Sequence, residues 1–119
     1  MNHIKLGEFG EREAAIFLSA SGYKILAQNF RSKTGEIDII AAYKDIIVFV
    51  EVKTRRNTLF GQPSEAVTYS KQQKLLKTAL CYLKLINKPD SACRFDVLEV
   101  LMPARDDLQI NHITNAFGS

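Results

Sequence analysis

Cysteine is scarce in this sequence: there are two, Cys81 and Cys93, and they do not form a CxxC pair. That spacing argues against a zinc site or a disulfide framework, and both residues fall in segments that read as a helix and a strand. They are expected as buried small hydrophobes. Long apolar runs are missing too. No stretch approaches the roughly 18 consecutive apolar residues of a membrane span, and the first residues, with Lys5, Glu8, Glu11, Arg12 and Glu13, lack a signal-peptide apolar segment. The expectation is a cytosolic, cytoplasmic chain with no membrane partner. Net charge is also small. A formal balance of +3 does not by itself argue for nucleic acid, so the placement of charge has to carry that question. Repeats, low-complexity tracts and linkers are absent, and 119 residues with 46% hydrophobic content suit one domain, 1–119, around one core.

What is present is periodicity. Residues 6–20 carry Leu6, Gly10, Ala14, Phe17 and Leu18 at helical spacing, and Gly22 stands where such a helix would stop. The run 23–30, YKILAQNF, reads as a first strand, with a polar turn from Arg31 to Gly35 after it. GEIDIIA and IIVFVEVK are dense in β-branched residues and separated by Tyr43-Lys44-Asp45, which predicts an antiparallel hairpin. Residues 54–63 show no usable period and read as a mobile loop leading to a short helical turn around Glu65 to Thr68. Ser70 and Gln73 have capping-box spacing, ahead of a helix with the apolar face Leu75, Leu76, Ala79, Leu80, Leu83 and Ile86, closed by Pro89. Arg94 to Val100 and Leu108 to Ile113 read as two more strands around a turn from Pro103 to Asp107. A crossover through the second helix places the next strand parallel to the hairpin sheet. The class is therefore α/β, one mixed sheet flanked by helices.

The hairpin carries the chemistry. An even-numbered loop, with 43 opposite 46 or 42 opposite 47, sets Asp38 across from Glu51 and Glu36 across from Lys53. Because side chains alternate with period two, these four are expected on one face with Ile40, Ala42, Ile47 and Phe49, while Ile37, Ile39, Val48, Val50 and Val52 line the other. Carboxylates whose Cβ atoms stand about 4.5–5.5 Å apart repel. A hard cation such as Mg²⁺ would compensate them, with the Val52 carbonyl as a further oxygen. Such an ion polarises a phosphoryl group and acidifies a bound water, and Lys53 would orient that water or stabilise developing charge. The same residues also fit a plainer arrangement, a salt-bridged patch in which Lys53 neutralises two acids.

Glu11 shares a helical row with Ala14, Ala15 and Leu18, where a carboxylate needs a partner, either the site or an arginine. Glu36 pairs with Lys53 or Arg31, or reaches the metal. Arg31, Lys33, Arg55 and Arg56 lie close in sequence to the charged end, and Lys71, Lys74 and Lys77 form a stripe on the second helix. Such a distribution suits a phosphate backbone or an ordinary solvated face. Phe60 and Tyr69 are aromatics that can stack on bases. His3 and His112, near the termini, are expected at the surface.

GEID, the thirteen positions from Asp38 to Glu51, and VEVK resemble the PD-(D/E)xK nuclease superfamily, with Ile37 in place of the motif's usual proline. More closely, Gly7, Glu11 through Leu18, Asn29, GEIDIIA, VFVEVKTR, Gly61, Ala66-Val67, Lys71 and CRFDV at 93–97 resemble the YraN-like family of endonuclease-like proteins across nearly the whole chain. That family is similar to Holliday-junction resolvases. The resemblance implies a restriction-endonuclease-like αβββαβ core, Mg²⁺ or Mn²⁺ as cofactor, and branched or flapped DNA as substrate. By matched position it makes Asp38 and Glu51 metal ligands, Lys53 the catalytic lysine, Glu11 the helix-borne acid, and Lys71 or Gln72 an assisting polar residue. The expected function is metal-dependent DNA hydrolysis, by one chain or a homodimer, with RNA also open. Its rivals are a nucleic-acid-binding module of the same fold working through protein partners with little catalysis, and a structural domain with neither role.

Overall fold

Helix α1 (His3–Ala20) opens the chain and ends where Gly22, at φ +93°, takes a conformation that glycine adopts freely. Three strands follow as a meander, β1 (Lys24–Ser32), β2 (Gly35–Tyr43) and β3 (Ile46–Arg55). Helix α2 (Tyr69–Leu85) then crosses to β4 (Cys93–Ala104), which turns back into β5 (Asp107–Phe117). The computed structural model describes residues 3–56, 67–104 and 107–117. The five strands form one sheet in the order β1-β2-β3-β4-β5, in which β3 and β4 run parallel and the other neighbours antiparallel. This is the expected mixed sheet with a helix on each face, consistent with a restriction-endonuclease-like core.

Apolar alternation along the middle strands explains the layering. Ile40, Ile47, Phe49, Phe95 and Val97 face α2 and pack against Leu75, Ala79, Tyr82 and Leu83. Ile39, Ala41, Val48, Val50, Leu98 and Val100 face the other way, beneath Ala14 and Leu18 of α1. Truncating one such fully buried leucine to alanine costs about 2–5 kcal/mol, so both faces contribute to stability. Helix α1 approaches β3 unusually closely at Gly10, where an added Cβ would come within 1.8 Å of the Thr54 hydroxyl oxygen.

Several details differ from the sequence-based expectation. The strand runs on through Arg55 rather than dissolving into a loop at 54, and residues 57–66, with the expected loop, Phe60, Glu65 and Ala66, lie outside the described residues. Val67 and Thr68 are not helical; Thr68 itself caps α2, its side chain accepting from the Lys71 N–H at 3.2 Å, so the capping residue is not Ser70. Burial of Val67 beneath the helix fixes this earlier start. Helix α2 ends at Leu85, before Pro89, and buries Thr78 and Tyr82 where Leu80 was expected, leaving Leu80 exposed. Cys81 and Cys93 are free and exposed, not buried, because the core positions beside them go to Ala79, Tyr82 and Phe95.

His112 is not a surface residue either. Its Nε2 lies 2.7 Å from a carboxylate oxygen of Asp96, which is fully buried and also accepts from Arg94 Nε, Arg94 Nη2 and the Asn115 N–H. Arg94 reaches on to the Tyr23 hydroxyl at 2.7 Å, and Tyr23 stacks on Tyr43. This network joins Tyr23, just before β1, to β2, β4 and β5 near the end of α1.

Candidate functional site

The hairpin register is the expected one, with Tyr43 opposite Ile46 and Ile39 opposite Val50 around a Lys44-Asp45 turn. The one-face arrangement of the four charged residues is not. The ladder ends at Ile39↔Val50, so Asp38↔Glu51 and Glu36↔Lys53 are not strand pairs. Ile37 packs with Ile40 on the α2 side although three positions separate them, a spacing that perfect alternation forbids. Asp38 and Glu36 instead line a pocket of about 290 Å³ on the α1 side, together with Gly7, Glu11, Asn29 and Val52. The physical reason lies on the neighbouring strand: Asn29 has φ +53°, and β1 and β2 pair at Gln28↔Ile39 and Phe30↔Ile37 but not between them. The ladder is thus interrupted opposite Asp38.

Freed from the ladder, Asp38 turns its carboxylate to the β3 backbone and accepts the Val52 N–H at 2.8 Å. Glu51 points to the α2 side, where its Oε1 receives Lys71 Nζ at 2.5 Å and lies 3.4 Å from Lys53 Nζ. Two compartments therefore meet at adjacent residues of β3, an acidic one at Val52 and a basic one at Glu51. The charges sense each other across the junction. Burial, then the nearby Glu51 carboxylate, raises the Asp38 pKa from its ordinary 3.8 to about 7, against the opposing Val52 hydrogen bond. Burial and Glu36 likewise raise Glu11, while a hydrogen bond to Asp38 works the other way. Lys53 is lowered by burial and by Lys71 beside it. Burial alone would lower Lys71 too, but its contact with Glu51 outweighs that and the pKa is raised.

Asp38 thus comes together with Glu11 on the α1 side, and Glu51 with Lys53 and Lys71 on the α2 side, the two groups adjoining at Glu51 and Val52 of β3. Gln72 joins neither; its amide donates to the Val67 carbonyl at 3.0 Å and steadies the start of α2. Glu36 pairs with Arg31 at 3.2 Å rather than with Lys53. Lys33 is exposed in the β1–β2 turn, Arg56 is exposed beyond β3, and Lys74 and Lys77 are exposed on α2. Arg55 is half-buried, and its Nε has no hydrogen-bond partner among the described residues. Asn29 is the pocket residue to which residue-by-residue reasoning gave no role. An asparagine inside a strand run, where its type is disfavoured, was the available signal.

The donor types expected to hold a metal, the carboxylates of Asp38 and Glu51 and the backbone carbonyl of Val52, are hard oxygens that would suit Mg²⁺ or Mn²⁺ rather than a softer metal. Among the described residues, no three of His, Cys, Asp and Glu gather to hold a metal by side chains alone. An ion here would need the backbone, water or substrate to complete its shell.

Comparison with known proteins gives a family whose description names no activity. The family model described as "Uncharacterised protein family UPF0102" matches residues 10–100. A UPF0102 protein of Caldanaerobacter subterraneus is 52% identical over 119 residues, 98% of each chain. One of Symbiobacterium thermophilum is 49% identical over 113 residues, 95% of this chain and 96% of its own. One of Clostridioides difficile is 46% identical over 117 residues, 98% of this chain and all of its own.

Proposed function

The chain belongs to the UPF0102 family, and on that footing we propose that it is a divalent-metal-dependent endonuclease that hydrolyses DNA phosphodiesters at branched or flapped structures. One observation carries the reading: Asp38 is half-buried with a single neutral N–H from Val52 and a pKa pushed up to about 7, among the Glu51, Glu11 and Glu36 carboxylates. A carboxylate under that pressure favours a cation over solvent. The PD-(D/E)xK-like spacing of Asp38, Glu51 and Lys53 supports the same reading.

Asp38 and Glu51, with the Val52 carbonyl, are the groups that would hold Mg²⁺ or Mn²⁺. When bound, the ion supplies Lewis-acid polarisation of the phosphoryl group and an acidified water. The chain's own residues divide the remaining work. Lys71 fixes the Glu51 carboxylate in place. Lys53, its ammonium destabilised by burial, would orient a water or meet negative charge on the phosphoryl oxygens. Glu11 adds a further acid from α1, and Lys33, Arg55 and Arg56 offer positive charge to the phosphate backbone.

A second reading rests on a different observation. Lys71 and Lys53 already neutralise Glu51, which lessens its demand for a cation and fits a nucleic-acid-binding module with little turnover. The test is to incubate the pure protein with Mg²⁺ or Mn²⁺ and labelled branched, single-stranded and duplex DNA, beside Asp38→Ala and Lys53→Ala. Metal-dependent cleavage lost in both variants supports the enzyme. Salt-sensitive binding that persists in Asp38→Ala, without cleavage, selects the binding module. Neither cleavage nor binding removes both readings.

A further inference from the structure

The acidic pocket brings Glu11, Glu36 and Asp38 together from α1 and β2, and like charges so placed should drive one another out into solvent. Something has to hold them. We propose that Asn29 is the positioning residue of this pocket, a clamp that fixes Glu11 and Glu36 around Asp38; its bearing on the cation rests on the reading above.

Two separate features of Asn29 point to this role. The first is its backbone. At φ +53° it occupies the left-handed region, which asparagine tolerates better than most residues with a side chain. The β1–β2 ladder omits the pair it would make with Asp38, and Asp38 is thereby released toward Val52. The second is its side chain. With its nitrogen turned to the acids, the Asn29 amide donates to Glu11 Oε1 at 2.9 Å and to Glu36 Oε1 at 3.0 Å. The opposite orientation would set the amide oxygen against both carboxylates and satisfy neither. One neutral group with two donors thus joins the helix acid to the strand acid without introducing a charge that would compete for the site.

Glu36 is braced a second time by Arg31 at 3.2 Å, whereas Glu11 depends on the amide and on its hydrogen bond with Asp38. Loss of the clamp therefore falls chiefly on Glu11. Removing an outer partner that orients a metal site weakens metal affinity by roughly 10–100-fold.

The experiment titrates the full-length chain with Mn²⁺ by calorimetry, comparing wild type with Asn29→Gly and Asn29→Ala. Glycine keeps the left-handed backbone without strain and deletes only the amide, so Asn29→Gly is the decisive variant even if Asn29→Ala folds poorly. The expected result is a Mn²⁺ dissociation constant raised roughly 10–100-fold in Asn29→Gly, with an unchanged circular dichroism spectrum. Wild-type affinity in that variant would overturn the proposal. A metal-free readout separates this proposal from the cation reading. By NMR, an Asn29 side-chain amide proton should lie downfield of a free amide and return toward it in Glu11→Ala; a free-amide position in the wild type would overturn the clamp. A downfield proton in a chain that takes up no Mn²⁺ would support the clamp and overturn the cation reading instead.

Discussion

At the two ends of α1 the sheet sets an aspartate beneath the helix, and the two are held in opposite ways. Asp96 is fully buried, yet Arg94, His112 and the Asn115 N–H surround it with donors. Burial alone would raise its pKa; hydrogen bonds from His112, Arg94 and Asn115 outweigh burial and hold it below the ordinary carboxylate value. Asp38 is less buried but has one neutral donor and acidic neighbours, and its pKa moves up. Burial is therefore not what distinguishes a functional carboxylate here. The distinguishing quantity is the number of lone pairs left without a partner, because a satisfied acid has become part of the scaffold and an unsatisfied one is available to a ligand.

The strongest way to break this contrast is to neutralise each acid in turn. Asp38→Asn should lower metal-dependent cleavage by roughly 10⁴-fold or more, while its unfolding midpoint at pH 8 rises by roughly 8–12 °C because a poorly compensated charge is gone. A nuclease assay and a thermal melt on the same sample check both halves. Asp96→Asn should do the reverse, destabilising the fold by about 3–5 kcal/mol in denaturant unfolding, since Arg94 loses its counter-charge. Cleavage per folded molecule should be unchanged.

Dependence on pH sharpens the same comparison. With Asp38 raised from 3.8 to about 7, the folded chain binds more protons than the unfolded chain between those values, so stability falls as pH rises through that window. Discounted for partial exposure, the loss is on the order of 2–3 kcal/mol. Asp96 acts at the other end. Its lowered pKa gives stability that is present above 3.8 and is lost as pH falls through the folded value. Denaturant midpoints measured from pH 3 to pH 8 should fall on both sides, and Asp38→Asn should remove only the alkaline slope. The smallest effect is expected from Tyr23→Phe, which deletes the hydroxyl that accepts from Arg94 and should cost about 1 kcal/mol by the same unfolding assay.

Much of the architecture was legible because it follows from local pattern. Ile39, Ile40 and Val48 to Val50 announce a doubly covered hairpin, and the helix between β3 and β4 requires a parallel crossover. The register of the hairpin followed from its two-residue turn, which brought Asp38 and Glu51 to the same end. What stayed hidden was which face each acid takes. Period-two reasoning holds only while the ladder is intact, and one left-handed residue on the adjacent strand, Asn29, interrupts it. The network around Asp96 was hidden for another reason: Tyr23, Arg94 and His112 are apart in sequence and meet only once β4, β5 and the segment leading into β1 are brought together. The cap at Thr68 was missed because Ser70 offers the same hydroxyl two residues later, and only burial of Val67 decides between them.

Gly10 and Glu11 are consecutive, and their adjacency ties a mechanical tolerance to a chemical one. Because Gly10 touches Thr54 with no room for even a methyl group, the seating depth of α1 is set one residue away from the acid it delivers. Any side chain there would jack the helix outward and withdraw Glu11 along with it, so that a change with no charge and no reactive atom would still retune the electrostatics of the opening below.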